Sequence, residues 1–165
     1  MQAKININLN IKDCMKTLTT TLFAVFATAT VAFAASLYTL AEDRPVSYDE
    51  LPAEAKTFIE TYFAGEEVSH AILDRDVISV DYNVVLASGT KLEFNSRGEW
   101  KEVDTRKGIV PDVIVPQTIA EYVAKNYPNK TITEIKRNHT YTEVTLKGGL
   151  ELTFNRDYKL VDVDD

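Results

Sequence analysis

Between residues 51 and 65 the apolar side chains fall at Ala55, Phe58, Ile59, Tyr62 and Phe63, a spacing of i, i+3, i+4, i+7 and i+8. That is one stripe of an amphipathic helix, with Glu54, Lys56, Glu60 and Thr61 mostly off it. Pro52 suits the first helical position, where its missing N–H would be unpaired anyway. Gly65 can end the helix in a left-handed conformation. The period then changes to two. Ile78, Val80, Tyr82, Val84 and Leu86 alternate with Ser79, Asp81 and Asn83, which predicts a strand with one dry face. Ala87-Ser88-Gly89 turns the chain, and Leu92 and Phe94 resume the dry face while Lys91 and Glu93 take the wet one. A weaker strand pattern runs from Val68 to Leu73.

The whole pattern then returns. Pro116 opens a second helical stripe of Ile119, Tyr122, Val123 and Tyr127, which Pro128-Asn129 stops. Ile132 to Arg137 is again a weaker strand. Thr142, Val144 and Leu146 lead into Lys147-Gly148-Gly149, then Leu150, Leu152 and Phe154. Leu92 to Asp104 reappears, much altered, as Leu152 to Asp164, each with a polar turn opened by Asn and a short strand ending in Val-Asp. The helices align at an offset of 64 and the hairpins at 60, so the first copy holds four extra residues. A longer first ladder, or a bulge near Asp74-Arg75-Asp76, would absorb them.

The expected fold is therefore α+β, a tandem repeat of α-β-β-β-β units, each a helix packed on a small antiparallel sheet. One such unit buries only about 60% of its unfolded surface, so the two are expected to join into one continuous body. The expected divisions are a leader at 1–34, a lead-in at 35–50, a first repeat at 51–104, a linker at 105–114 and a second repeat at 115–165. The lead-in is either a tether or a short edge strand.

The leader reading rests on Lys4, Lys12 and Lys16 ahead of the apolar run Leu22 to Phe33, with Ala32-Phe33-Ala34 as a cleavage signature. The run is too short to span a bilayer, which needs about 20 apolar residues. Expectation is thus a periplasmic or secreted protein with no membrane span after signal cleavage. Cleavage takes the only cysteine, Cys14, together with three of the 18 basic and one of the 25 acidic residues, so the net charge moves from −7 to −9. A thiol-free acidic domain lacks the clustered positive charge that nucleic acid or anionic lipid requires.

Catalytic chemistry has little to draw on. His70 and His139 stand at unmatched positions of the repeat, and Ser69 and His70 are neighbours on a strand, where alternate side chains face opposite ways. No metal or cofactor site is expected, and no enzymatic activity. One ion remains conceivable: Asp74, Asp76 and Asp81 around the extra residues could collect calcium, although the twelve-residue loop of a dedicated site is absent. What is left is surface recognition. The wet face of the sheet offers Tyr141, Glu143, Thr145, Asp81 and Glu93, with Tyr158 in the last turn, as a candidate interaction surface. Trp100 either joins such a surface or turns inward as a core plug matched by Leu160. The main expectation is a protein or peptide partner in the cell envelope; the alternative is a small ligand, peptide or calcium ion.

The stretch from Leu51 to Ile59 with Tyr62-Phe63, then Leu92-Glu93-Phe94 and Gly98 to Asp104, resembles the PepSY-like domains of exported bacterial proteins. The second copy keeps Pro116, Ile119, Leu152-Thr153-Phe154 and Val163-Asp164, but has Tyr158 for Gly98 and Leu160 for Trp100. That family is also likened to the β-lactamase inhibitory protein, itself a tandem repeat of helix-plus-sheet units. The resemblance implies a non-catalytic binding or inhibitory module, and it brings no catalytic residues to carry over.

Overall fold

The computed structural model describes residues 43–165 apart from Val77 and Lys107, so the expected leader and residues 35–42 lie outside the described part. The described chain begins with β1 (Arg44–Val46) and a short 3-10 turn (Tyr48–Glu50). The first repeat follows as α1 (Ala53–Tyr62), β2 (Val68–Arg75), β3 (Val80–Leu86), β4 (Lys91–Asn95) and β5 (Trp100–Asp104). After a second 3-10 turn (Asp112–Ile114) come α2 (Gln117–Asn126), β6 (Ile132–Arg137), β7 (Tyr141–Leu146), β8 (Glu151–Asn155) and β9 (Leu160–Asp164). All nine strands among the described residues pair antiparallel with their sequence neighbours in a single sheet ordered β1 to β9. The two α-β-β-β-β units are thus one α+β body, with a helix covering each half of the sheet.

One cross-strand row shows how the units merge. Val46, Ala71, Val84, Leu92, Val103, Ile135, Val144, Leu152 and Val163 stand side by side, one per strand. All but the last are buried in a single core. The row shares its face with Phe94 and Phe154, which lie two residues along from Leu92 and Leu152. Phe58 of α1 meets Phe94 edge to face at 5.6 Å, and Tyr122 of α2 meets Phe154 in the same way at 5.5 Å. Both helices therefore cover the same face, and among the described residues no helix covers the other.

The seam between the copies is the β5–β6 ladder, in which Glu102, Val103 and Asp104 face Lys136, Ile135 and Glu134. Backbone N–H groups of Thr105 and Val110 extend it by donating to the carbonyls of Thr133 and Ile132, at 2.9 and 3.0 Å. Lys136 pairs with Glu102 at 3.1 Å on the open face.

Several local expectations need correction. Ile78, expected on the dry face, is 94% exposed, because β3 starts only at Val80 and the residues before it turn back through a bond from Asp76 N–H to the Ser79 carbonyl. Tyr62 is 37% exposed at the outer edge of its stripe, while Ala55, Phe58, Ile59 and Phe63 are buried. Pro52 and Pro116 each stand one residue before the first helical residue rather than inside it. A bulge between Val68 and His70 breaks the alternation expected at Ser69 and His70; both are exposed, and no hydrogen bond joins them. The four extra residues lengthen the first hairpin: β2 runs two residues past Leu73, and β3 begins one residue before Asp81. The loop between them is one residue longer than its counterpart.

Each β4–β5 type turn is held by its Asn. The Asn95 side-chain oxygen accepts from the N–H groups of Arg97 and Glu99, and Asn155 does the same for Asp157 and Lys159. The fourth turn position has positive φ, +87° at Gly98 and 55° at Tyr158. A Cβ on Gly98 would lie 2.7 Å from the Ala55 nitrogen, so here glycine lets the helix N-terminus approach the turn. The second copy holds larger residues at both matching positions, Ile119 and Tyr158.

Phe94→Ala and Phe154→Ala should each cost about 3–5 kcal/mol in urea unfolding, the usual cost of deleting a large buried ring. Cleaving the chain near Gly108 should give two halves that fold poorly alone. Two fragments that each melt cooperatively near the temperature of the intact protein would refute the shared body.

Candidate functional site

The open face carries mostly acids. Along β5 to β9 it shows Glu102, Asp104, Glu134, Glu143, Glu151, Asp162 and Asp164, against the lysines Lys101 and Lys136. Desolvation raises the pKa of Glu134 above its ordinary 4.5, and the neighbouring carboxylates of Glu102, Asp104 and Glu143 add to the rise against the partial relief from Lys136. Thr145 donates a long 3.5 Å bond to the same Glu134.

On this face β7 places Tyr141, Glu143 and Thr145 in a line, with Asp81 and Glu93 on β3 and β4 of the first copy. The first-copy pair is already engaged: Lys101 bridges Asp81 at 3.0 Å and also contacts Glu93. Burial works against the Lys101 charge, but the two carboxylates outweigh it and hold its pKa above the ordinary value. At the matching positions of the second copy the triad becomes Tyr141, Thr153 and Val161. An internal ion network in one half is thus an aromatic, aliphatic and hydroxyl patch in the other, with Val161 60% exposed. Tyr158 stands apart from that patch. It occupies the positive-φ turn position, close to Arg137.

At the far end of the first hairpin the extra residues bring acids together. Asp74 stands directly opposite Asp81 across the β2–β3 ladder. Desolvation raises the pKa of Asp74 from its ordinary 3.8, followed by Asp43, which also hydrogen-bonds it, and then by Asp76 and Asp81. Sequence reasoning found three of these four. Asp43 was missed because β1, the strand that carries it alongside β2, has only three residues and no periodicity to read. Among the described residues no three His, Cys, Asp or Glu side chains are already gathered into a metal cage.

A third feature lies on the helix side of the seam. Trp100 faces the core, 6.1 Å from Phe58, and so fits the inward reading, though its ring is only half-buried. The guanidinium of Arg137 stacks 3.7 Å over that ring, and its Nε donates to the Trp100 carbonyl at 3.1 Å. Desolvation lowers the Arg137 pKa, because the charged end is pressed against the indole even though the residue as a whole is exposed. With Phe58, Tyr62, Val113 and Ile114 the pair lines a groove of about 900 Å3. Arg137 was legible in principle: at the helix offset it matches Leu73, which is 4% exposed, and a cation at a core-facing position marks a special environment.

The PepSY-like family, provisionally described as beta-lactamase-inhibitor-like, matches residues 80–162. Three solved structures share the fold. A protein of the DUF2874 family from Bacteroides vulgatus, provisionally assigned to the periplasm, is 36% identical, covers 75% of this chain and 98% of its own, and superposes with a TM-score of 0.73. A Bacteroides thetaiotaomicron protein, provisionally described as calcium-regulated and periplasmic, is 34% identical over 74% of this chain and 97% of its own, with a TM-score of 0.72. A second periplasmic assignment from Bacteroides vulgatus, of unknown function, is 33% identical over 75% of this chain and 100% of its own, at 0.73. No functionally curated protein matches.

Asp74→Asn should raise the melting temperature at pH 7 in the absence of divalent ions. The sign follows from linkage: a carboxyl with a raised folded pKa binds its proton more readily folded than unfolded, so it favours folding as pH falls through that value and opposes it above. Equal melting temperatures for wild type and variant at pH 7 would show that the acids do not strain the fold.

Proposed function

The chain belongs to the PepSY-like family, and from that premise we propose that it acts as a calcium-responsive module of the cell envelope. The protein is non-catalytic, and it is periplasmic or secreted, in line with the provisional periplasmic assignment of its relatives. Among the described residues no helix is long and apolar enough to cross a membrane. The observation that carries the calcium reading is the convergence of Asp43, Asp74, Asp76 and Asp81 at the tip of the lengthened hairpin, where desolvation, followed by the neighbouring acids, raises the Asp74 pKa. The calcium-regulated description of one relative supports the same ion.

Calcium takes six to eight oxygens in flexible geometry, and four carboxylates with backbone carbonyls and water suit that demand. The acids are near one another without yet forming a cage, so the ion has to draw β1 and the hairpin tip together. That ordering cost favours weak binding, about 10⁻⁴–10⁻³ M, as in extracellular calcium modules. Such an affinity fits an envelope, where the ion is plentiful.

A second reading has its own support. The family description points toward inhibition of an enzyme, and the Tyr141, Thr153 and Val161 patch gives the open face an uncharged anchor amid acids. In this reading the open face binds a protein partner, in the manner of the β-lactamase inhibitory protein.

Calcium at about ten times its Kd should stabilise the protein by about 1.4 kcal/mol, a rise of about 5 °C in Tm for a domain of this size. Magnesium should do less, and Asp74→Asn should abolish the response. The shift should also shrink as pH falls from neutrality toward the ordinary carboxylate value of 3.8, since protons compete for the same oxygens. A melting curve indifferent to calcium at millimolar concentrations sinks this reading. For the second, Tyr141→Ala with Glu143→Lys should weaken a partner recovered by pull-down at least tenfold, about 1.4 kcal/mol, with the melting curve unchanged. Full binding by that variant removes the Tyr141 patch from consideration.

A further inference from the structure

The two edges of the sheet are not alike. β1 is three residues long and carries Pro45, whose missing N–H blunts it against further pairing. β9 is five residues long, with neither proline nor lysine, and among the described residues it has a neighbour on one side only. Val163 in β9 is 47% exposed, whereas its repeat counterpart Val103 in β5 is 0% exposed. What separates the two is a strand: β6 lies beyond β5 and sets Ile135 against Val103, and nothing described lies beyond β9.

We propose that the outer edge of β9 is a strand-addition site that accepts, antiparallel, an extended basic segment of another protein. The repeat supplies the template for the occupant. At the seam, β6 sets Lys136 opposite Glu102 and Ile135 opposite Val103, and the Lys136–Glu102 pair closes at 3.1 Å. The matching β9 positions are Asp162 and Val163, so the incoming strand needs a β-branched residue opposite Val163 and a lysine or arginine opposite Asp162. Opposite Asp104 the template places Glu134, whose charge is opposed by its acidic neighbours there. A third position facing Asp164 therefore favours a second cation. Backbone pairing supplies affinity and these side chains supply selectivity, as in other cases of strand addition.

The bulge that β9 makes against β8 is no obstacle. β5 makes the same bulge against β4 and still pairs with β6 over three residues. Self-pairing is disfavoured by charge. Two antiparallel β9 strands centred on Val163 would bring Asp162 of each against Asp164 of the other, and like charges directly opposite destabilise a ladder. Asp162 and Asp164 bond only to adjacent N–H groups in the structure and pair with no cation among the described residues.

The probe is a synthetic peptide copying residues 131–138 with lysine in place of Glu134, labelled for fluorescence anisotropy and added to the intact protein. Binding should protect the amides of residues 160–164 from hydrogen exchange. Asp162→Lys should weaken binding at least tenfold, and a peptide with glutamate in place of Lys136 should recover affinity for that variant. A scrambled peptide binding equally well, or protection appearing elsewhere than β9, overturns the proposal. So does strong protection of those amides in the free protein, which would mean that the chain itself occupies the edge. Concentration-dependent dimerisation lost on Val163→Lys would assign the edge to a second copy and overturn it too.

Discussion

Backbone pairing between β5 and β6 is the constraint on which the rest of the structure depends. Each repeat alone is a helix over four strands, too small to bury more than about 60% of the surface its chain exposes when unfolded. The seam lets Val103 and Ile135, both fully buried, continue the core from one copy into the next. Because side chains alternate between the faces along paired strands, this register decides which face the neighbouring strands of the second copy turn to the core. A slip of one residue at the seam would turn the second copy over and put Leu152 and Phe154 in water. The bonds from Thr105 and Val110 to the carbonyls at the start of β6 hold the connection against such a slip.

Much of this was legible from periodicity. The 3.6 spacing from Ala55 to Phe63 and its echo from Ile119 to Tyr127 located both helices, and alternation located the central hairpins. The misreadings share a cause. Ile78 continued an alternating pattern beyond the point where the chain had a strand to pair with, and periodicity alone does not register a missing neighbour. Ser69 and His70 sit at a bulge, which no apolar pattern announces. β1 has one buried residue, Val46, too few to make a pattern of any period. The candidate surface was harder still. Wet-face positions could be enumerated, but that Lys101 bridges Asp81 and Glu93 depends on side chains 20 and 8 residues apart meeting across the sheet.

The two copies have diverged in a compensated way. In the first, a small pair, Ala55 and Gly98, lets helix and turn approach closely, and a large ring, Trp100, fills the neighbouring space. In the second, Ile119 and Tyr158 are larger and Leu160 is smaller. Bulk has moved from one side of the turn to the other while the apolar row beneath stays intact. The open face changed by a different rule, since no packing constrains it: an ion triad in one copy became Tyr141, Thr153 and Val161 in the other. The Arg137–Trp100 stack links the two regimes, with a cation from the second copy covering the incompletely buried ring of the first.

The lengthened first hairpin bears on how such a scaffold can vary. Its two added residues on β2 carry the ladder outward by one full pleat, so every side chain below keeps its face. The tip beyond Leu73 and Tyr82 is therefore a module whose length is mechanically uncoupled from the core. Insertions there in steps of two would be tolerated by geometry alone. A lineage can trial new loops at that end of the sheet without renegotiating the interior, and a protein engineer could graft foreign sequence at the same place for the same reason.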